Sequence, residues 1–89
     1  MDKNLDWNDI SFVDGSPNRK KILKNLTNPK TPTQLKKLSE IHFNSVSRAL
    51  KELEKKGLVK CLTKDSSRSK YYDITEKGQK IKEELEKLN

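Results

Sequence analysis

Eighty-nine residues, 37% of them charged and 30% hydrophobic, make one small domain and leave no room for a second, catalytic or ligand-binding one. No apolar run is long enough to cross a bilayer, and the opening MDKNLDWNDI lacks the basic-then-apolar order of a signal peptide, so a soluble cytoplasmic protein with no membrane partner is expected. One cysteine, Cys61, and one histidine, His42, exclude an intrachain disulfide and any multi-cysteine or multi-histidine metal site; no cofactor, metal or small-molecule ligand is expected.

The net charge of +7 is unevenly placed. Residues 1–16 carry net −3 and residues 73–89 net −1, whereas residues 17–72 hold 15 basic side chains against Glu40, Glu52, Glu54 and Asp65. A central excess of this kind is the electrostatic footprint of a nucleic-acid binder. A lysine-rich composition serving solubility alone gives the same total, so charge by itself leaves both readings open.

In chain order, LDWNDISFVDG suggests a short helix ended by Gly15, whose large side chains cover one end of the core or a partner subunit. SPNRKKILKNLTNP reads as a helix capped by Ser16, with Pro17 at the first position, a buried stripe of Ile22, Leu23 and Leu26, and a stop at Asn28-Pro29. TPTQLKKLSE opens with a capping box from Thr31 to Gln34 and points Leu35 and Leu38 inward. IHF follows as a tight turn anchored by Ile41 and Phe43.

Asn44 is expected to cap a third helix over residues 44–56. Val46, Leu50 and Leu53, with Ala49 beside them, form its apolar face. Gly57 falls where a left-handed cap is wanted, and Leu58 is its hydrophobic partner. LVKCL and KYYDI read as two strands around the polar loop TKDSSRS, a hairpin with a basic tip. Thr75 then caps a last helix carrying Ile81, Leu85 and Leu88 at i, i+4 and i+7. Gly78 near its start leaves room for close backbone packing.

With the apolar face of the third helix inward, Asn44, Arg48, Lys51 and Lys55 face away, flanked by Ser45 and Ser47. That composition suits a helix in the DNA major groove: serines allow close approach, Arg48 can span guanine O6 and N7, and Lys51 and Lys55 can neutralise phosphates. An ordinary solvated face looks similar. Glu52 is assigned to helix stability through an i, i+4 pair with Lys56. Lys60, Lys64, Arg68 and Lys70 surround the hairpin tip, where they either reach a backbone or minor groove or are simply solvated. Of Tyr71 and Tyr72, one points inward and one outward. His42 and Cys61 have no partner that suggests catalysis, and no phosphate-loop or dinucleotide motif occurs, so no enzyme is expected. Cys61 among Leu58, Val59 and Leu62 reads as a buried, inert thiol.

TPTQLKKLSEIHFNSVSRALKELEKKGLVK followed by YYDITEKGQKI resembles prokaryotic winged helix-turn-helix transcription regulators, MarR-like and ArsR-like, especially small archaeal ones. The similarity covers about residues 17–82. It implies an α+β, mainly helical fold: a three-helix core, a β-hairpin wing over residues 63–70, and a C-terminal helix. Residues 1–16 would be an extension and 17–89 the DNA-binding domain. By position, Ser45, Ser47, Arg48 and Lys51 match recognition-helix residues, Thr33, Gln34 and Lys36 the phosphate-contacting start of the supporting helix, and Lys64, Ser67, Arg68 and Lys70 the wing. The resemblance implies sequence-specific binding of double-stranded DNA and transcriptional regulation as a homodimer. The Cys and His clusters of ArsR-like metal sites are absent from this sequence. Leu5, Trp7, Ile10, Phe12, Ile81, Leu85 and Leu88 are the candidate dimer interface, unless both termini pack on their own domain. The alternative function is a winged-helix protein-interaction module within a larger complex.

Overall fold

A computed structural model of the chain describes residues 7–63 and 70–88. Its elements run α1 Trp7–Asp14, α2 Pro17–Asn25, α3 Pro32–Ser39, α4 Phe43–Lys55, β1 Val59–Cys61, β2 Tyr72–Ile74 and α5 Glu76–Leu88. The five helices and antiparallel hairpin are the mainly helical winged-helix architecture expected from the sequence.

Local signals set most of the boundaries. Ser16 accepts a hydrogen bond from the Arg19 N–H, with Pro17 opening α2. At α3 the Thr31 N–H donates to Gln34 Oε1 (2.9 Å) and the Gln34 N–H to Thr31 Oγ1 (3.2 Å), which completes the capping box. The exit of α4 is a Schellman motif: Gly57 adopts φ 76°, its N–H reaches the Glu54 carbonyl, and the Leu58 N–H reaches that of Leu53. Thr75 Oγ1 accepts from the Gly78 N–H at the start of α5, as expected of a cap, and donates to the Gly57 carbonyl at 2.7 Å. The two helix ends are thereby locked together.

The core lies where α2, α3 and α4 meet, roofed by α1, α5 and the hairpin. Ile22, Leu23, Leu26, Leu35, Val46, Leu50, Leu53, Leu58 and Ile81 are essentially inaccessible. Each such side chain contributes roughly 1.5–3 kcal/mol on burial, which is substantial for a domain this small.

Four local expectations are corrected. Leu38 is 51% exposed; α3 instead turns Ser39 inward, four residues after Leu35, where Asn25 Nδ2 donates to its hydroxyl at 3.4 Å. The third helix begins at Phe43 rather than after Asn44, with His42 in the cap position and no side-chain cap bond. Phe43 therefore rides on the helix surface, 46% exposed, and only Ile41 of that turn packs against the core. Cys61 is half-buried rather than buried, with Sγ 3.7 Å from the Thr63 carbonyl.

β1 pairs with β2 in the register Val59↔Ile74, Lys60↔Asp73 and Cys61↔Tyr72. A bridge not foreseen in the sequence extends this sheet: Lys30 and Tyr72 exchange backbone hydrogen bonds of 2.9 and 2.8 Å, tying the chain ahead of α3 to the second wing strand. Among the described residues no helix is long and apolar enough to cross a membrane.

Candidate nucleic-acid interface

Around α4, each residue advances about 100°. Val46, Ala49, Leu50 and Leu53 occupy the buried arc, and the opposite arc carries Asn44, Arg48, Lys51 and Lys55, all exposed. That outer arc holds three cations, one amide and no carboxylate. The two acids of the helix lie to either side of it, Glu52 on the flank of Ser45 and Glu54 on the flank of Ser47. The two serines thus sit on opposite flanks, both half-buried. Ser45, Arg48 and Glu52 face Ser16, Asn18 and Arg19 across a polar cleft between α4 and the start of α2.

Thr33, Gln34 and Lys36 are exposed on α3, with the Gln34 side-chain oxygen engaged in the capping box. Lys36 and His42 rim a shallow hollow on the turn between α3 and α4. On the hairpin, Lys60 and Lys70 are exposed. Tyr72 is buried and Tyr71 is 39% exposed, as alternation requires. The Leu62 N–H donates to the Tyr71 carbonyl at 2.7 Å, so these two exposed side chains sit side by side on the outer face. Lys64, Ser67 and Arg68 lie outside the described residues.

The expected Glu52–Lys56 pair is replaced by a longer-range one. Arg19 Nε donates to Glu52 Oε1 at 3.0 Å, Arg19 Nη1 donates to the Phe12 carbonyl at 2.7 Å, and the guanidinium stacks 3.8 Å from the Phe12 ring centroid. Lys56 instead approaches the same ring, at 5.3 Å. Arg19 therefore belongs to three elements, α1, α2 and α4. Sequence periodicity marks it only as lying off the α2 stripe, because its partners are 7 and 33 residues away. A second cation ties α1 to the exit of α4: Lys77 Nζ lies 2.9 Å from the buried Asp9 carboxylate and donates to the Lys56 carbonyl at 3.4 Å.

Among the candidate interface residues, Ile10, Ile81 and Leu85 are buried in the chain's own core, and Phe12 packs against it under Arg19. Trp7 and Leu88 remain 68% and 58% exposed; Leu5 lies outside the described residues. Burial lifts the Tyr72 phenol above its usual range, with the charges of Cys61 and Glu54 adding to the effect. Among the described residues, no group of three or more His, Cys, Asp or Glu side chains is placed to hold a metal ion.

A capped helix, a following helix with an exposed basic arc and a β-hairpin in this order define a winged helix-turn-helix of the MarR-like regulator class. The chain belongs to the family described as the HVO_A0261 N-terminal domain, whose model matches residues 7–89. It is 41% identical over 69 residues to the uncharacterized HTH-type transcriptional regulator YdgG of Bacillus subtilis, an alignment covering 74% of this chain and 45% of that protein. The chain thus spans less than half the length of that relative. Its fold superposes on reduced MarR from E. coli with a TM-score of 0.75 at 26% identity, covering 91% of this chain and 62% of that one. A mutant E. coli MarR complexed with operator DNA gives a TM-score of 0.72 at 27% identity, covering 89% and 59%. Sso10a-2, a DNA-binding protein from Sulfolobus solfataricus, gives 0.71 at 25% identity, covering 81% and 74%.

Proposed function

We propose that this domain binds double-stranded DNA sequence-specifically as part of a cytoplasmic transcriptional regulator. In this reading α4 enters the major groove, and the wing lies on the neighbouring backbone or minor groove. The observation that carries it is the outer arc of α4, where Asn44, Arg48, Lys51 and Lys55 stand together with no acid among them, on a fold shared with a MarR bound to operator DNA. Arg48 is the candidate base reader and Lys51 and Lys55 the phosphate contacts. Thr33 and Lys36 would anchor the supporting helix, and Lys70 the root of the wing.

A homodimer on a palindromic site accompanies this reading. Its support is the exposure of Trp7 at the start of α1 and Leu88 at the end of α5, two large apolar side chains that the domain's own core does not use. Selection of bound sequences from random duplex DNA tests the whole proposal. The expected result is a motif repeated as half-sites about one helical turn apart. Recovery of no motif, with equal binding to every duplex, would contradict specific recognition. Light scattering reads the dimer separately: a mass of 10.3 kDa at high concentration rules it out.

A further inference from the structure

Glu52 has two arginines within reach. Arg48 lies four residues earlier on α4, at the edge of the outer arc nearest Glu52, the spacing at which a carboxylate and a cation pair along a helix. Arg19 lies across the cleft, and all three side chains line it. The structure pairs Glu52 with Arg19, at 3.0 Å. Arg19 is in turn held by α1, through the Phe12 carbonyl and the Phe12 ring. We propose that Arg19 is a positioning residue that keeps Glu52 away from Arg48, so that the Arg48 guanidinium stays available to DNA, and that α1 sets this state by holding Arg19.

The inference rests on the reading of Arg48 as a DNA contact. The chemistry is a competition for one carboxylate. A guanidinium paired with Glu52 along the helix would have its fork occupied and its charge offset, and could not make the two-pronged contact to a base edge. Arg19 removes that competitor, with its Nε donating to Glu52 and its Nη1 to the Phe12 carbonyl. Its side chain is 21% exposed, that of Glu52 39%. The lock therefore sits half-shielded beside the reading face, connected directly to the first helix of the domain.

The test is a cycle of Arg19→Met, Glu52→Gln and the double variant, measured on a duplex bound by the wild type, with Arg48→Met as reference. Arg19→Met is expected to weaken binding about tenfold. Glu52→Gln alone should change it by less than about threefold, and the double variant should return to within about threefold of the wild type while keeping the wild-type salt dependence. A direct Arg19–phosphate contact predicts otherwise: no recovery in the double variant, and a salt slope smaller by about one. That result, or unchanged affinity of Arg19→Met, overturns the proposal. A neutral Arg48→Met would instead overturn the DNA reading of that residue. A DNA-free measurement keeps the two apart. By NMR, the Arg48 Nε–H should exchange more slowly in Arg19→Met than in the wild type and revert in the double variant; no change there refutes the competition whatever the DNA data show. Thermal melts of each variant establish that it is folded.

Discussion

A methyl group placed on Gly78 would overlap the carbonyl oxygen of Leu58 and come within 2.8 Å of Ile74 Cγ1. The start of α5 thus lies directly on the backbone leaving α4. The same Leu58 carbonyl accepts a hydrogen bond from the Thr75 N–H at 3.0 Å. Gly78→Ala must push α5 off this junction and is expected to destabilise the domain by about 2–3 kcal/mol, despite alanine's better helix propensity. Chemical denaturation measures it; an unchanged or raised midpoint would show that α5 moves without cost.

Gly57 supplies the contrast. Its φ of 76° favours glycine, yet a Cβ there meets no atom within 4 Å. Gly57→Ala should therefore cost only the left-handed backbone preference, roughly 1–2 kcal/mol, and Gly57→Asn less than that. If Gly57→Asn proves as damaging as Gly57→Ala, left-handed strain is not what governs this position.

Charge should dominate DNA affinity. With about six phosphates neutralised, binding is expected to fall roughly a thousandfold between about 50 and 200 mM salt. Reversing Arg48 and Lys51 to glutamate together should abolish measurable specific binding while leaving the melting temperature nearly unchanged, because both side chains are exposed. A flat salt response, or DNA binding that survives the reversal, points to the protein-interaction alternative.

The buried Tyr72 phenol gives a pH signature. Its folded pKa is raised by burial above that of the unfolded chain, so the fold favours the neutral phenol. That contribution is complete below the unfolded value of about 10 and is lost as pH rises through the higher folded value. As pH rises above about 10 the wild type should lose more stability than Tyr72→Phe, which has no phenol to ionise. Equal losses in the two proteins would assign the alkaline instability to other groups.

The order of elements, the Ser16 and Thr75 caps, the Thr31–Gln34 box, the Gly57 stop and the inward stripe of α4 could all be read in the sequence. Each depends on residues within one or two helical turns, so spacing alone encodes it. The cationic outer arc of α4 was legible for the same reason, once the buried side of the helix was known. Where two short-range signals competed, spacing misled: Leu38 and Ser39 were both near the inward side of α3, and contact with Asn25 on α2 decided for Ser39.

Tertiary structure alone decided what the charged and large apolar residues do. Glu52 chose Arg19, 33 residues away, over Lys56, because the packing of α2 beside α4 brings Arg19 to it and Phe12 supplies both a carbonyl and a ring to hold that guanidinium. Lys30 joined Tyr72, 42 positions on, through backbone groups whose pairing no side-chain pattern records. Ile10, Ile81 and Leu85 went to the domain's own core, and among the described residues of that set Trp7 and Leu88 stayed exposed. Side-chain periodicity specifies which face of an element is apolar; which neighbour covers it, and which of several reachable ions a carboxylate takes, is fixed only when the helices are packed.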